Sequence, residues 1–197
     1  MTVIATTLMA KTVLEQLGSG ALPDWHRVES AIRVKRLRTG DRLFRADDQH
    51  PYVYFVHQGI IKLVYETADG KEWIKAFAEE GRFFASLTAL EPGGRTSFSA
   101  CAACDAAVEQ LPYQVLLALA ETHPTWQKVL RRSFEIYGFR KETREKELLL
   151  LSAEERYRRF IEERGALSAR LADKDIASYI RVTPVALSRI KKRQPSV

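Results

Sequence analysis

Leu171-Ala172-Asp173-Lys174-Asp175-Ile176-Ala177-Ser178-Tyr179-Ile180-Arg181-Val182-Thr183-Pro184-Val185-Ala186-Leu187-Ser188-Arg189-Ile190 is the stretch whose pattern organises the rest of the chain. Asp173 is the expected N-cap of a short helix whose inner side is Ile176, Ala177 and Ile180. Ala177 is small where a second helix has to cross closely. Thr183 caps the next helix, with Pro184 at its first position, where a missing N–H costs nothing. Leu187 and Ile190 then face inward, and Val185, Ser188, Arg189 and Lys192 face outward. Two short helices around a three-residue turn, the second basic outside, predict a helix-turn-helix whose second helix fits the major groove. An ordinary helical hairpin shares the periodicity. The small Ala177, the Val182 plug, the Thr-Pro start and the local charge together favour the DNA reading.

Charge supports it. The chain has 197 residues and a formal charge of +6. Residues 1–151 carry 20 Lys and Arg against 19 Asp and Glu, whereas residues 152–197 carry 11 against 6. The basic excess therefore belongs to the terminal quarter, as expected for a module that meets nucleic acid. No run approaches the roughly 20 apolar residues of a membrane helix. The N-terminal MTVIATTLMAKTVLEQL lacks the basic start and small-residue cleavage site of a signal peptide. With only two cysteines, a reducing cytoplasm is the expected compartment, with no membrane partner.

Upstream, residues 8–38 hold two helical stretches, around Met9–Leu17 and Trp25–Ala31, separated by Gly18-Ser19-Gly20. From Val34 to about Leu111 the period becomes two, with strands at 43–44, 53–56, 60–65 and 73–77. Asp69-Gly70 predicts a hairpin with a type I′ turn, which needs positive φ at both central residues. Many short strands at such spacing predict a small β-barrel or roll. A short helix follows over about Tyr113–Glu121, broken at His123-Pro124, and a long one runs from Pro124 to about Leu151. Its stripe of Trp126, Leu130, Phe134 and Tyr137 adjoins Val129, Ser133 and Ile136. Two apolar faces predict packing on the β body and on a second copy of the chain, with Val129, Ser133, Ile136, Tyr137 and Arg140 as dimerisation residues. A further helix, 153–164, buries Tyr157, Phe160 and Ile161 and is expected to end at Gly165.

In this order a β-roll, a long helix and a helix-turn-helix resemble the Crp–Fnr family of bacterial transcription regulators. The roll carries the family pattern in Leu37, Gly40, Asp41, Leu43 and Phe44, then Tyr54-Phe55-Val56 and Gly59-Ile60-Ile61-Lys62-Leu63. Asp69-Gly70-Lys71-Glu72 and Gly81-Arg82-Phe83-Phe84 follow in place. The resemblance covers about residues 30–193. It implies an α+β chain: a double-stranded β-helix (jelly roll, cyclic-nucleotide-binding-like) over 1–123, a dimerisation helix over 124–151 and a small all-α winged-helix-type helix-turn-helix domain over 152–197. Its implied partners are double-stranded DNA, a second copy of the chain, RNA polymerase and an unidentified small-molecule effector.

The residues depart from the family at the effector pocket. Cyclic-nucleotide binders place Gly-Glu after the Phe-x pair, and Arg-Ser-Ala about ten residues on. Here Phe84-Ala85-Ser86 lacks the carboxylate, and Arg95-Thr96-Ser97 shifts the arginine by one or two positions. On the long helix Lys141 and Glu142 replace the small hydroxyl pair that contacts the base. The pocket is expected to comprise Phe84, Ser86, Arg95, Thr96, Ser97 and Lys141. An anion without partners there is costly, so tight cyclic AMP binding is not expected and no cofactor is predicted. Cys101 and Cys104 are spaced as C-x-x-C, but residues three apart on a strand point to opposite faces, so they predict no metal site. His26, His50, His57 and His123 are scattered, and no pattern supports haem ligation.

In the DNA module the usual turn glycine is Arg181, which requires that this residue avoid left-handed φ. The family's base-reading positions become Pro184 and Val185, while Arg189 keeps the family's arginine. Val185 fits a thymine methyl group. Thr183, Val185, Ser188 and Arg189 form the expected DNA face, with Lys191, Lys192 and Arg193 serving phosphates. The stretch after Gly165 leaves little room for a wing hairpin, so the module is expected to be minimal. Two other readings stay open. One is a ligand-binding or protein-interaction module with a vestigial helix-turn-helix. The other is a cupin-like metalloenzyme, disfavoured because His57 stands nearly alone on the strands. No catalytic residue is predicted.

Overall fold

The computed structural model describes residues 8–193; the first seven residues of the segment read against a signal peptide, and the terminal Gln194-Pro195-Ser196-Val197, lie outside it. Two helices open the described chain, α1 (Met9–Gly18) and α2 (Trp25–Ala31). Eight strands follow: β1 (Arg33–Leu37), β2 (Arg42–Phe44), β3 (Tyr52–Gln58), β4 (Ile61–Glu66), β5 (Glu72–Ala78), β6 (Phe83–Phe84), β7 (Ser99–Ala102) and β8 (Ala106–Pro112), with the single-turn α3 (Leu87–Leu90) after β6. They form two antiparallel sheets, ordered β1-β8-β3-β6 and β2-β7-β4-β5, whose facing sides close a jelly roll. Then come α4 (Tyr113–Thr122), α5 (Pro124–Leu150), α6 (Ala153–Ser168), α7 (Asp173–Tyr179) and α8 (Pro184–Arg193). The expected α+β architecture is present. No strand follows α5 among the described residues.

The β4–β5 hairpin corrects one expectation. Gly70 takes φ 79, but Asp69 is not at positive φ, so the turn is not type I′. Gly70 N–H donates to Thr67 O at 2.8 Å and Thr67 N–H to Lys71 O at 2.9 Å. This is the three-residue loop in which one left-handed glycine closes a turn. Gly59 is required more strictly: at φ 86, a Cβ would lie 2.4 Å from Asp105 O.

The core has three parts. Inside the roll, Phe44, Tyr54, Phe84 and Phe98 pack with Val56, Ile61, Leu63 and Val108. Tyr54 and Phe84 stack with centroids 5.2 Å apart, and Phe98 is 1% exposed. On the outer face of the β1-β8-β3-β6 sheet, α1, α4 and the start of α5 bury Leu14, Leu17, Leu119, Trp126 and Val129. Glu109 of β8 fastens α1 there. Its carboxylate accepts the Met9 and Ala10 N–H groups at 2.8 and 2.7 Å, orphan donors of a helix N-terminus, with His57 Nδ1 3.4 Å away. Glu109→Gln keeps one acceptor and turns an NH2 toward the other donor. The expected cost is about 1–2 kcal/mol, read as a lower urea midpoint with unchanged slope.

The third part joins the terminal module to the roll. Ile60, Val64, Ile74 and Phe77 of the β4–β5 region pack with Phe160, Ile176, Ala177, Ile180, Leu187 and Ile190. β5 is an edge strand, and α7 covers it. Ser178 Oγ accepts the Ile74 N–H at 3.0 Å and donates to Glu72 O at 3.0 Å, satisfying backbone groups that an open edge would expose.

Candidate nucleic-acid interface and effector cleft

The helix-turn-helix is α7, the turn at 180–183 and α8. Ile176, Ala177, Ile180 and Leu187 are at most 2% exposed, as the spacing predicts. Ala172, not Asp173, is the N-cap of α7; Asp173 is its first helical residue, where its charge still faces the positive end of the helix dipole. Thr183 Oγ1 accepts the Ala186 N–H at 3.2 Å and so caps α8. The turn departs from expectation, because Arg181 does adopt left-handed φ, at 64. Its guanidinium lies 3.8 Å from the centroid of the Trp73 ring on β5, a stacking contact that offsets part of the backbone cost.

The outer face of α8 presents Val185, 63% exposed, with Ser188, Arg189 and Lys192 also exposed. Lys191 and Arg193 are engaged within the chain, Lys191 with Asp173 and Arg193 with Glu154 at 2.9 Å. Such exposed pairs contribute little, so a phosphate can displace them. Cations also close the rear of the module: Arg144 donates to Tyr179 O and Arg156 Nε to Ile180 O at 2.9 Å, at the carbonyl end of α7. Lys62 Nζ meets Asp175 Oδ1 at 3.1 Å. Arg170 grips Glu80 with two bonds of 2.7 and 2.9 Å and holds that carboxyl down at about 2. The regular helix of α6 breaks beside Gly165, as the sequence predicts. Arg164 leaves helical conformation (φ −140, ψ 34), and a second short helical stretch runs on to Ser168.

The expected effector residues divide. Phe84, Ser97 and Lys141 line a cleft of about 1180 Å³ between the roll, α5 and the terminal module. Ser86 is buried beside it, accepting the Ser97 N–H at 2.9 Å and lying 3.1 Å from Thr88 Oγ1. Arg95 and Thr96 turn away. Arg95 Nη1 donates to Asp47 O at 2.6 Å, and Thr96 Oγ1 donates to Arg45 O at 2.6 Å. The shifted arginine thus braces the outer loop, and the rings of Phe84 and Phe98 fill the roll interior.

The residues expected to dimerise are placed no more uniformly. Val129 is 0% exposed against α1, beside Gly18, and faces its own chain. Ser133, Tyr137 and Arg140 line the cleft, and Ile136 packs at the edge of the α1–α4–α5 cluster. The exposed apolar residues of α5 are instead Phe134, Phe139, Leu148, Leu149 and Leu150. Cys101 ends up buried on β7, and Cys104 lies beyond that strand's end. No three His, Cys, Asp or Glu side chains gather as a metal site among the described residues.

Lys75 is a feature that periodicity does not reveal. Its ammonium sits over the rings of Phe98, Tyr65 and Tyr137, at 4.3, 5.5 and 5.7 Å. Burial, and then the nearby Lys141, push it down to about 8. A lysine depressed in the folded state destabilises the fold at neutral pH, and the penalty fades as pH rises from there toward the unfolded value of about 10.4. Lys75→Met is expected to stabilise the protein by about 1–2 kcal/mol near pH 7 and by less near pH 9.5, checked by denaturant melts at both.

Comparison with known proteins gives the class first. Residues 34–123, which span the roll, match the family model described as the cyclic nucleotide-binding domain. Most of the chain also shares its fold with proteins of known structure. FixK2 from Bradyrhizobium japonicum superposes with a TM-score of 0.71 at 22% identity, over 82% of this chain and 83% of that one. The regulator CLP of Xanthomonas campestris, described as c-di-GMP responsive, gives 0.70 at 15% identity, over 86% and 89%. The catabolite activator protein of Thermus thermophilus gives 0.55 at 23% identity, over 90% and 85%. No curated protein matches the sequence. No described helix is long and apolar enough to cross a membrane.

Proposed function

We propose that the chain is a dimeric, cytoplasmic, DNA-binding transcription regulator rather than an enzyme, with residues 1–123 as effector domain, 124–151 as dimerisation helix and 152–197 as DNA-binding domain. One observation carries the reading: α8 buries Leu187 and Ile190 in the module and leaves Val185, Ser188, Arg189 and Lys192 free on one face. Arg189 reads a base edge, and Lys192, with Lys191 and Arg193 once released, holds phosphates. The fold shared with known regulators supports this reading, and RNA polymerase is the expected downstream partner. Exposed Phe134, Phe139, Leu149 and Leu150 on α5 favour a second copy as the covering partner. The roll does not hold cyclic AMP tightly, because Phe84 and Phe98 occupy its interior, Ser86 replaces a carboxylate and Arg95 points elsewhere.

Light scattering, followed by salt titration on duplexes, tests this. The expected mass is twice the 22.5 kDa of one chain, with affinity for selected duplex well above that for random duplex at every salt concentration. A monomer, or equal salt-sensitive binding to both duplexes, sinks the proposal. The second outcome would mark the helix-turn-helix as vestigial.

A further inference from the structure

The terminal module has no separate apolar core among the described residues. Every buried apolar side chain from α6 to α8 belongs to one cluster with Ile60, Val64, Ile74 and Phe77 of the roll. The Phe77 ring of β5 lies 5.4 Å from that of Tyr179 and 6.4 Å from that of Phe160, so aromatic packing bridges the two regions. Polar contacts across the joint are as complete. Ser178 of α7 takes the place of a neighbouring strand: its Oγ accepts the Ile74 N–H and donates to Glu72 O, both at 3.0 Å. Lys62 and Asp175 pair at 3.1 Å, with side chains only 15% and 11% exposed. Removing one partner of so covered a pair costs far more than breaking an exposed one. Glu80, gripped by Arg170, also accepts the Gly59 N–H at 2.7 Å, which ties the module to the turn between β3 and β4. Domains that move on one another keep their own cores and meet through modest, polar interfaces, whereas a shared apolar core holds its parts together.

We propose that α6, α7 and α8 are not a mobile head but a fixed extension of the β2-β7-β4-β5 sheet, with Ser178, Asp175 and Arg170 as the residues that position α8 on the roll. The terminal module is then a functional region without being an independently folding one. β5 is an edge strand with Ile74 and Phe77 in the shared cluster, so lifting α7 away opens that edge and bares the cluster to water. The cost falls on roll and module alike, which makes them one cooperative unit. In a dimer, α8 is re-aimed by turning whole protomers against each other, and not by a swing about Leu151 and Ser152, the two residues between α5 and α6. The fixed joint is a property of the free chain, and only its consequence for α8 rests on the proposed DNA reading.

Native-state hydrogen exchange of the full-length protein across a urea series tests the joint. Amides of β4 (Ile61–Glu66) and α8 (Pro184–Arg193) are expected to lose protection at the same urea concentration. In Ser178→Ala both should exchange about fivefold faster, by one common factor, because a contact is lost from a shared unit. Ser178→Thr keeps the hydroxyl and should exchange as the native chain does. Asp175→Asn should speed both segments together by a larger factor, since Lys62 keeps its charge without a carboxylate. If Asp175→Asn fails to fold, Ser178→Ala and Ser178→Thr carry the comparison. Earlier loss of protection in α8 than in β4, or a variant that loosens α8 alone, overturns the proposal. Saturating selected duplex supplies a second arm, in which β5 should stay at least as protected as in the free chain. Faster exchange of β5 on duplex binding also overturns the proposal, because the module has then left the roll. If no duplex binds, the DNA reading of α8 fails, and the urea series still decides whether the joint is fixed.

Discussion

Arg189→Ala should weaken binding to a selected DNA site by about 1–3 kcal/mol, roughly 5- to 150-fold, while leaving affinity for random duplex nearly unchanged. Arg189 is exposed on α8 and forms no ion pair among the described residues, so its removal leaves the protein fold intact. A bidentate contact to a guanine edge carries sequence information, and its loss should relax specificity at a single base position. Lys192→Ala should behave differently, lowering affinity for both duplexes together and reducing the salt slope by about one. Fluorescence anisotropy on both duplexes at several salt concentrations separates the two effects. Equal losses on both duplexes from Arg189→Ala would assign this residue to phosphate rather than to a base.

Trp126→Ala should destabilise the fold by about 3–5 kcal/mol, measured as a drop in urea midpoint. The indole is 0% exposed, and its Nε1–H donates to Pro23 O at 2.9 Å. Alanine leaves a cavity among Leu14, Leu17 and Leu119 and strips a partner from the half-buried Pro23 carbonyl. Trp126→Phe retains most of the packing and should cost less, about 1–2 kcal/mol. The consequence reaches beyond stability. Trp126 and Val129 seat the first turns of α5 on the outer sheet face, while its later turns face the cleft and the terminal module. One of the two links between the roll and the terminal module, beside the direct packing of β4 and β5 on that module, therefore runs along a helix anchored at that end. The large cost expected at Trp126 measures how firmly it is anchored.

The helix-turn-helix and the roll were legible in the sequence because each rests on local rules. Ala177, Ile180, Leu187 and Ile190 fall at helical spacing, and the strands alternate between glycine-marked turns. The Asp69-Gly70 pair marks the place of the turn but not its type, because only Gly70 takes the left-handed conformation. What the sequence hid lies in long-range side-chain geometry. Ser178 meets β5 backbone across about a hundred residues, and Arg181 accepts an unfavourable φ while stacking on Trp73. Arg95 sits in the expected loop, yet its side chain points outward to Asp47 O. Val129 occupies the position expected of an interface residue, but α1 reaches it first.

Selection of bound sequences from a random duplex pool, with the full-length protein, tests the DNA-reading claim most directly. The expected product is an inverted repeat whose half-site centres lie about one helical turn apart, near 10 base pairs, each with a guanine that becomes indifferent in Arg189→Ala. A pool that stays unenriched, or one enriched only for base composition without two-fold symmetry, would contradict the account.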